Sequence, residues 1–238
     1  MLEFNINDFY KEAPFMFLKL VEKEFVKNIL NDGQIYFNLI SNYRDLQNNQ
    51  NKNAVGDKTE CQLTTKISLF IEDRSGKCRA FHSKQGSKAF INSNQCAFCL
   101  YAVTPQMFKP IGKNNQNIDE NELCLDKVRF KKFTDTIMSD KKDGSFIIFR
   151  KNVIDKIVEE LKKRNLSYGY GLVAYDNFDY IPEYEINSQK YILECCFHKL
   201  EKYSYQNEYR IVALNTKKSP IDDLYITLEK EDFTLIDL

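Results

Sequence analysis

Between Tyr205 and Leu214 the chain reads YQNEYRIVAL, a segment whose polar residues recur at alternate positions before it turns apolar. On a strand alternate residues share a face, so the pattern predicts Gln206, Glu208 and Arg210 pointing the same way, followed on that face by Val212 and Leu214. A strand of this kind has a polar start and a buried body, as the wall of a pocket mouth does. Burying a carboxylate and a guanidinium costs several kcal/mol unless they pair with each other or with a ligand. Two readings stay open from the residues: a binding wall, or a structural Glu208/Arg210 pair closing the end of a sheet.

The rest of the chain favours a mixed fold around such a strand. With 238 residues it is long enough to bury a sizeable core without disulfide or metal staples, and one domain spanning residues 1–238 is expected. Phe15 to Leu20 reads as a strand and Val21 to Asn31 as a short helix, with Val21, Phe25 and Ile29, then Val26 and Leu30, at helical spacing and Gly33 as its stop. Gln34 to Ile40 then alternates Ile35, Phe37 and Leu39 against Gln34, Tyr36 and Asn38. Strands are also predicted at 66–71, 77–81, 95–104, 145–149, 171–175, 206–214, 224–228 and 233–236. Asn152 can cap a helix whose buried side carries Val153, Ile154, Ile157, Val158 and Leu161, with Asn165 at its end, and another helix is expected at 188–200. Polar connections at 47–56 and 112–122 are too short to be domain linkers. The expected class is α+β, a mostly antiparallel, strand-rich core with two or three flanking helices.

Charge and cysteine usage narrow the setting. Lys plus Arg and Asp plus Glu both total 34, so net charge points to no nucleic-acid surface. No apolar run approaches the roughly 18 residues of a membrane helix, and the opening Met1 to Asp8 lacks the features of a secretory signal, so a cytoplasmic, membrane-free protein is expected. Seven cysteines scattered through apolar segments fit reduced, buried thiols better than a disulfide framework.

Most familiar catalytic motifs are missing. The chain has no P-loop, no G-x-G-x-x-G and no G-x-S-x-G pattern, and its two histidines, His82 and His198, stand isolated. Cys96 and Cys99 have zinc-like spacing, but on a strand their sulfurs face apart, and Cys195 and Cys196 read as packing. Tyr43-Arg44-Asp45 and the segment Gly56 to Glu60 concentrate charge after a strand, where loops supply binding groups or form solvated turns. A second enzymatic reading takes Asp57, Glu60 and Glu208 as hard-cation ligands of a metal-dependent nuclease or phosphoesterase. A third reading is a ligand- or protein-binding module or inhibitor in which Glu208 and Arg210 pair structurally.

The order of short motifs adds a resemblance. A G-x-I-Y-F strand (Gly33 to Phe37), a Tyr-Arg-Asp turn, the Gly-Asp-x-x-Glu segment 56–60, Phe98-Cys99-Leu100, a Gly-led strand and helix (Gly144 to Arg164), a G-x-V-x-Y strand (Gly171 to Tyr175) and a final Glu-Tyr-Arg strand resemble the DUF2971 group of bacterial proteins. The beginning and end are also similar to the ADP-ribosyltransferase fold, whose late strand carries a Gln-x-Glu motif, here Gln206-Asn207-Glu208. That resemblance implies NAD as the nucleotide and Glu208 as the catalytic carboxylate that holds the nicotinamide ribose hydroxyl. It implies Gln206 as the acceptor-side residue, with Lys19, Tyr36, Asn38, Arg44 and Arg210 lining the nucleotide pocket. It further implies a macromolecular acceptor, protein or nucleic acid, or simple NAD hydrolysis, in a bacterial or phage setting of defence or toxicity. The sequence departs from the family at the opening strand, where Lys19 stands in place of the usual Arg or His, and in lacking a Ser-Thr-Ser segment, Asn38 and Ser41 being the nearest polar groups.

Overall fold

The computed structural model of the protein describes residues 3–5, 14, 16–43, 62–65, 68–72, 78–82, 87–90, 95–104, 107–110, 123–125, 131, 135, 144–176, 188–214 and 224–236. A short strand, Glu3–Asn5 (β1), precedes the opening unit of Met16–Glu22 (β2), Lys23–Asp32 (α1), Gln34–Tyr36 (β3) and Asn38–Leu39 (β4). The helix begins two residues later than its periodicity suggests, because Val21 and Glu22 are held in the sheet opposite Ser145 and Gly144. It ends where expected, at Gly33. There φ is 64° and the N–H donates to Ile29 O at 2.9 Å. A side chain at Gly33 would put its Cβ 1.9 Å from Leu228 O, so the close approach of the C-terminal segment demands glycine on two counts.

The single strand expected over 34–40 is broken at Phe37, a fully buried residue whose N–H donates to Leu224 O at 3.0 Å. The two pieces join different partners, and that is why the alternation does not continue as one ladder. β3 pairs with a late strand at Tyr225–Thr227, whereas β4 pairs with the central strand Cys96–Val103.

Four strands follow β4 as antiparallel pairs: Gln62–Thr65 (β5) with Ser87–Phe90 (β8), and Ser68–Glu72 (β6) with Cys78–His82 (β7). The central strand Cys96–Val103 is β9, followed by the small pair Phe108–Pro110 (β10) and Leu123–Leu125 (β11). Gly144–Arg150 (β12) leads into Val153–Lys163 (α2). The five apolar residues expected on the inner face of α2 are all buried, and Asn165 closes the helix with φ 54°. Asn152 occupies the N-cap position without a side-chain bond to the helix.

Ser167–Leu172 (β13) and Ala174–Asp176 (β14) come next, then Gln189–Cys196 (α3), started by Ser188, whose Oγ accepts the Tyr191 N–H at 3.1 Å. The helix expected to run to Leu200 stops four residues early, because His198–Leu200 (β15) pairs in parallel with β14. Glu208–Leu214 (β16), Tyr225–Thr227 (β17) and Phe233–Ile236 (β18) complete the chain.

The main sheet runs β1-β13-β16-β9-β2-β12-β18, with β4 added on β9. Its pairings are antiparallel apart from β1 with β13. One face carries the larger core, where Phe17, Phe98, Phe149 and Ile211 meet the inner faces of α1 and α2. The other is covered by α3 through Leu193 and Cys196, packed on Ala97, Val212 and Leu214. Gly169 makes this contact possible, since a Cβ there would come within 2.8 Å of Leu193 Cδ2. The result is an α+β domain, strand-rich and mostly antiparallel. Among the described residues no helix is long and apolar enough to cross a membrane. The polar segments 47–56 and 112–122 lie outside the described residues.

Candidate functional site

The sheet forks at β9. Along one edge β9 pairs with β16 from Cys96 to Tyr101. On the other edge, β2 is paired only at Tyr101 to Val103 and β4 only at Cys96 and Ala97. Phe98, Cys99 and Leu100 lie between these two pairings, opposite the point where β2 peels away toward β12. Backbone carbonyls left without a ladder partner need another donor. Lys19 supplies one: its Nζ donates to Cys99 O at 2.7 Å and lies 4.4 Å from the centre of the Phe98 ring.

A cavity of about 530 Å³ opens at this fork. Lys19, Tyr36, Asn38, Gln206, Glu208 and Arg210, all singled out in the sequence, line it together. They come from β2, β3, β4, the 3₁₀ turn Glu201–Gln206 and β16. Arg44, Asp57 and Glu60 lie outside the described residues, which include only Glu208 of the three carboxylates named in the metal reading. Among the described residues no three His, Cys, Asp or Glu side chains cluster as a metal site would require.

Glu208 is the first residue of β16, and its surroundings are fixed on every side. Its N–H donates to the Tyr175 hydroxyl at 2.8 Å and its carbonyl accepts the Val173 N–H at 2.9 Å. Oε2 accepts from Lys199 Nζ at 2.7 Å, and Oε1 accepts from Arg210 Nε. The guanidinium is anchored from behind, Nη1 donating to Cys196 O at 2.5 Å. Lys199 also reaches Gln206 Oε1 at 2.7 Å. All four side chains are buried, Arg210 the most deeply at 1% exposure and Lys199 at 3%.

These contacts set the protonation states. Burial alone raises the Glu208 carboxyl, but the charges of Arg210 and Lys199 outweigh it and hold the group below its usual range, so it is ionised. Burial, reinforced by the Glu208 charge, pushes the Cys99 thiol up to about 12. Tyr43 is raised by burial and then by Cys99, and Tyr175 by burial and then by Glu208. At neutral pH the ionised Glu208 carboxylate therefore sits among the neutral phenols of Tyr43 and Tyr175 and the neutral thiol of Cys99.

Two expectations need correction. Gln206 and Glu208 do not share a strand face, because Gln206 ends the 3₁₀ turn and Asn207 follows with φ 37°. Asn207 holds this kink against β9, donating from Nδ2 to Ala102 O at 2.6 Å and accepting the Ala102 N–H at 2.8 Å. The two side chains still meet, through the ammonium of Lys199. His198, isolated in the sequence, is paired in space, its Nδ1 lying 2.8 Å from Asp176 Oδ2. The cysteine parity holds: Cys96 packs in the larger core and Cys99 against the α3 side.

Sequence reasoning did not find Lys199 or Tyr225, and it named Tyr43 and Tyr175 only as members of short motifs. Tyr225 faces Tyr36 across the β3/β17 pair with ring centres 5.0 Å apart, each 41% exposed at the rim of the cavity. Phe25, expected on the apolar stripe of α1, is instead 52% exposed at the same rim. No family model matches this chain, and no curated protein or solved structure matches it either.

Proposed function

We propose that the forked cavity is a nucleotide site of the ADP-ribosyltransferase type, at which the protein binds NAD and acts on the bond between nicotinamide and ribose. The observation that carries this reading is convergence: six residues named from the sequence, on five separate elements, line one cavity. Its volume of about 530 Å³ suits a ligand of this class. Three exposed aromatic rings at the rim, Phe25, Tyr36 and Tyr225, offer faces to planar groups.

NAD supplies the chemistry of a good leaving group, nicotinamide departing with the bonding electron pair while an acceptor or water bonds to the ribose carbon. The chain supplies position and charge. Glu208 is ionised and held in place, so it can accept a hydrogen bond from a ribose hydroxyl and stabilise developing positive charge better than mobile water does. Gln206, tied to the same lysine, is the acceptor-side residue on this reading. Lys19 takes the place of the Arg or His usual on the opening strand, contributing a point charge rather than a bidentate fork. The acceptor, protein or nucleic acid, belongs to the same proposal, as does a bacterial or phage setting.

The test is nicotinamide release from NAD by the purified chain and by a folded Glu208→Gln variant. Release that drops in the variant supports the reading, and equal release by both removes Glu208 from it.

One observation favours a second reading. Both carboxylate oxygens of Glu208 already carry a cation, which is the signature of a structural pair in a binding module without catalysis. On that reading Glu208→Gln destabilises the fold, and there is no nicotinamide release to lose.

A further inference from the structure

The two ends of the forked cavity differ in chemistry. The buried end is lined by Gln206, Glu208 and Arg210, whereas the exposed end carries rings and neutral carboxamides. One wall of the exposed end is the ribbon of β3 and β17. In both strands the middle residue, Ile35 or Ile226, is buried in the larger core. Alternate residues of a strand share a face, so the opposite face displays Gln34 and Tyr36 from β3 and Tyr225 from β17. All three are exposed and line the cavity. Tyr36 and Tyr225 are register partners, their ring centres 5.0 Å apart and their planes inclined at 42°. Gln34 stands two residues from Tyr36 along the same strand, about 7 Å away.

The second wall is α1. Phe25 and Asn28 are three residues apart, hence neighbours on one helix face, and both are exposed and line the same cavity. Val26 and Ile29 fix the helix in the core. Gly33 joins the two walls, since it ends α1 and its carbonyl accepts the N–H of Leu228, the residue after β17, at 2.9 Å. Each wall therefore offers an aromatic ring and a carboxamide on a fixed frame.

Singly exposed rings are ordinary on a protein surface, but three around one opening make a patch that a planar ligand covers. A carboxamide sets a donor beside an acceptor, the complement of the N6 amino group and N7 of adenine. We infer that the mouth of the cavity is an adenine subsite: the purine stacks on the rings of Tyr36, Tyr225 and Phe25, and the carboxamides of Gln34 and Asn28 read its amino edge. The inference rests on the proposed nucleotide reading, in which Glu208 takes the ribose next to nicotinamide and the mouth is left to the adenosine half. It adds no bond cleavage to that reading.

Adenosine, which carries the base without a phosphate, and inosine, which has a carbonyl in place of the amino group, are the probes. Saturation-transfer NMR on the whole chain is expected to show adenosine bound through H2 and H8 of its base. Competition titrations are expected to place inosine about tenfold weaker, the discrimination of one bidentate carboxamide contact. Tyr225→Ala is expected to weaken adenosine by roughly tenfold, as loss of a stacked ring does. Asn28→Ala combined with Gln34→Ala is expected to bring adenosine and inosine to the same affinity while both still bind. All three substituted positions are exposed, and circular dichroism checks each fold. No adenosine binding by wild type, equal binding of the two nucleosides by wild type, adenosine binding unchanged in Tyr225→Ala, or discrimination that survives in the double variant overturns the inference. Adenosine binding with the expected dependences, and no nicotinamide release from NAD, keeps the adenine subsite and removes the transferase reading. Nicotinamide release without adenosine binding does the reverse.

Discussion

Lys199 Nζ stands 2.7 Å from Glu208 Oε2 although the two residues belong to different strands, β15 and β16, that are not paired with each other. The same ammonium reaches Gln206, so one lysine ties together the two ends of the Gln206-Asn207-Glu208 segment. The pair is buried on both sides, which makes it a point where stability and function are coupled.

Removing the carboxylate should therefore be expensive. Glu208→Gln leaves two buried cations side by side, and the expected loss is about 3–5 kcal/mol of folding stability. Adding Lys199→Met should recover part of it, because the second cation then no longer needs a partner. Urea denaturation of the single and double variants measures both steps.

Acid should act through the same group. The Glu208 carboxyl is held below its ordinary value of 4.5 in the folded protein. Its contribution to stability is complete above that value and is lost as pH falls toward the folded-state value. Urea midpoints measured from pH 6 down to pH 3 should fall more steeply for wild type than for Glu208→Gln below about pH 4.5. Parallel curves would show that the carboxylate is not held by its cations.

Gly33→Ala should destabilise the protein although it adds only a methyl group. The positive φ costs about 1–3 kcal/mol for a residue with a Cβ, and overlap with Leu228 O adds to it. Because Gly33 sets the exit from α1 into β3, the change should also weaken any ligand that touches Tyr36 or Asn38. Thermal unfolding and ligand titration of the same variant check the two effects.

The thiols at the fork should be inert. Burial pushes Cys96 up to about 11 and Cys99 up to about 12, so at pH 8 the thiolate fraction of either is roughly one part in a thousand or less. Peptide mapping after brief alkylation of the native protein should find both unmodified, and alkylation in denaturant should label both.

Where periodicity is local, the sequence was a good guide. The apolar stripe of α2 and the strand Phe233–Ile236 appear in the structure as expected, because each buries one continuous face. It misled where the partner is distant. Nothing near Phe37 shows that β3 will leave for a strand at Tyr225 while β4 stays on β9. Alternation placed Gln206 on the β16 face, yet the left-handed Asn207 ends that rule one residue before the strand begins. The sequence did contain a clue, since asparagine tolerates this conformation better than most residues. Lys199 carried none: the sequence placed it at the end of a helix over 188–200, whereas it lies in a three-residue strand whose tertiary contact with the turn before Glu208 buries it.

The most direct measurement is a calorimetric titration of NAD into wild type and a folded Glu208→Gln variant, with nicotinamide release followed in the same samples. The account predicts that wild type binds NAD and releases nicotinamide. It predicts that Glu208→Gln still binds while release falls by about 10²–10³-fold, the scale of losing one preorganised electrostatic group. No binding of NAD by wild type, or release at the wild-type rate by the variant, would contradict it.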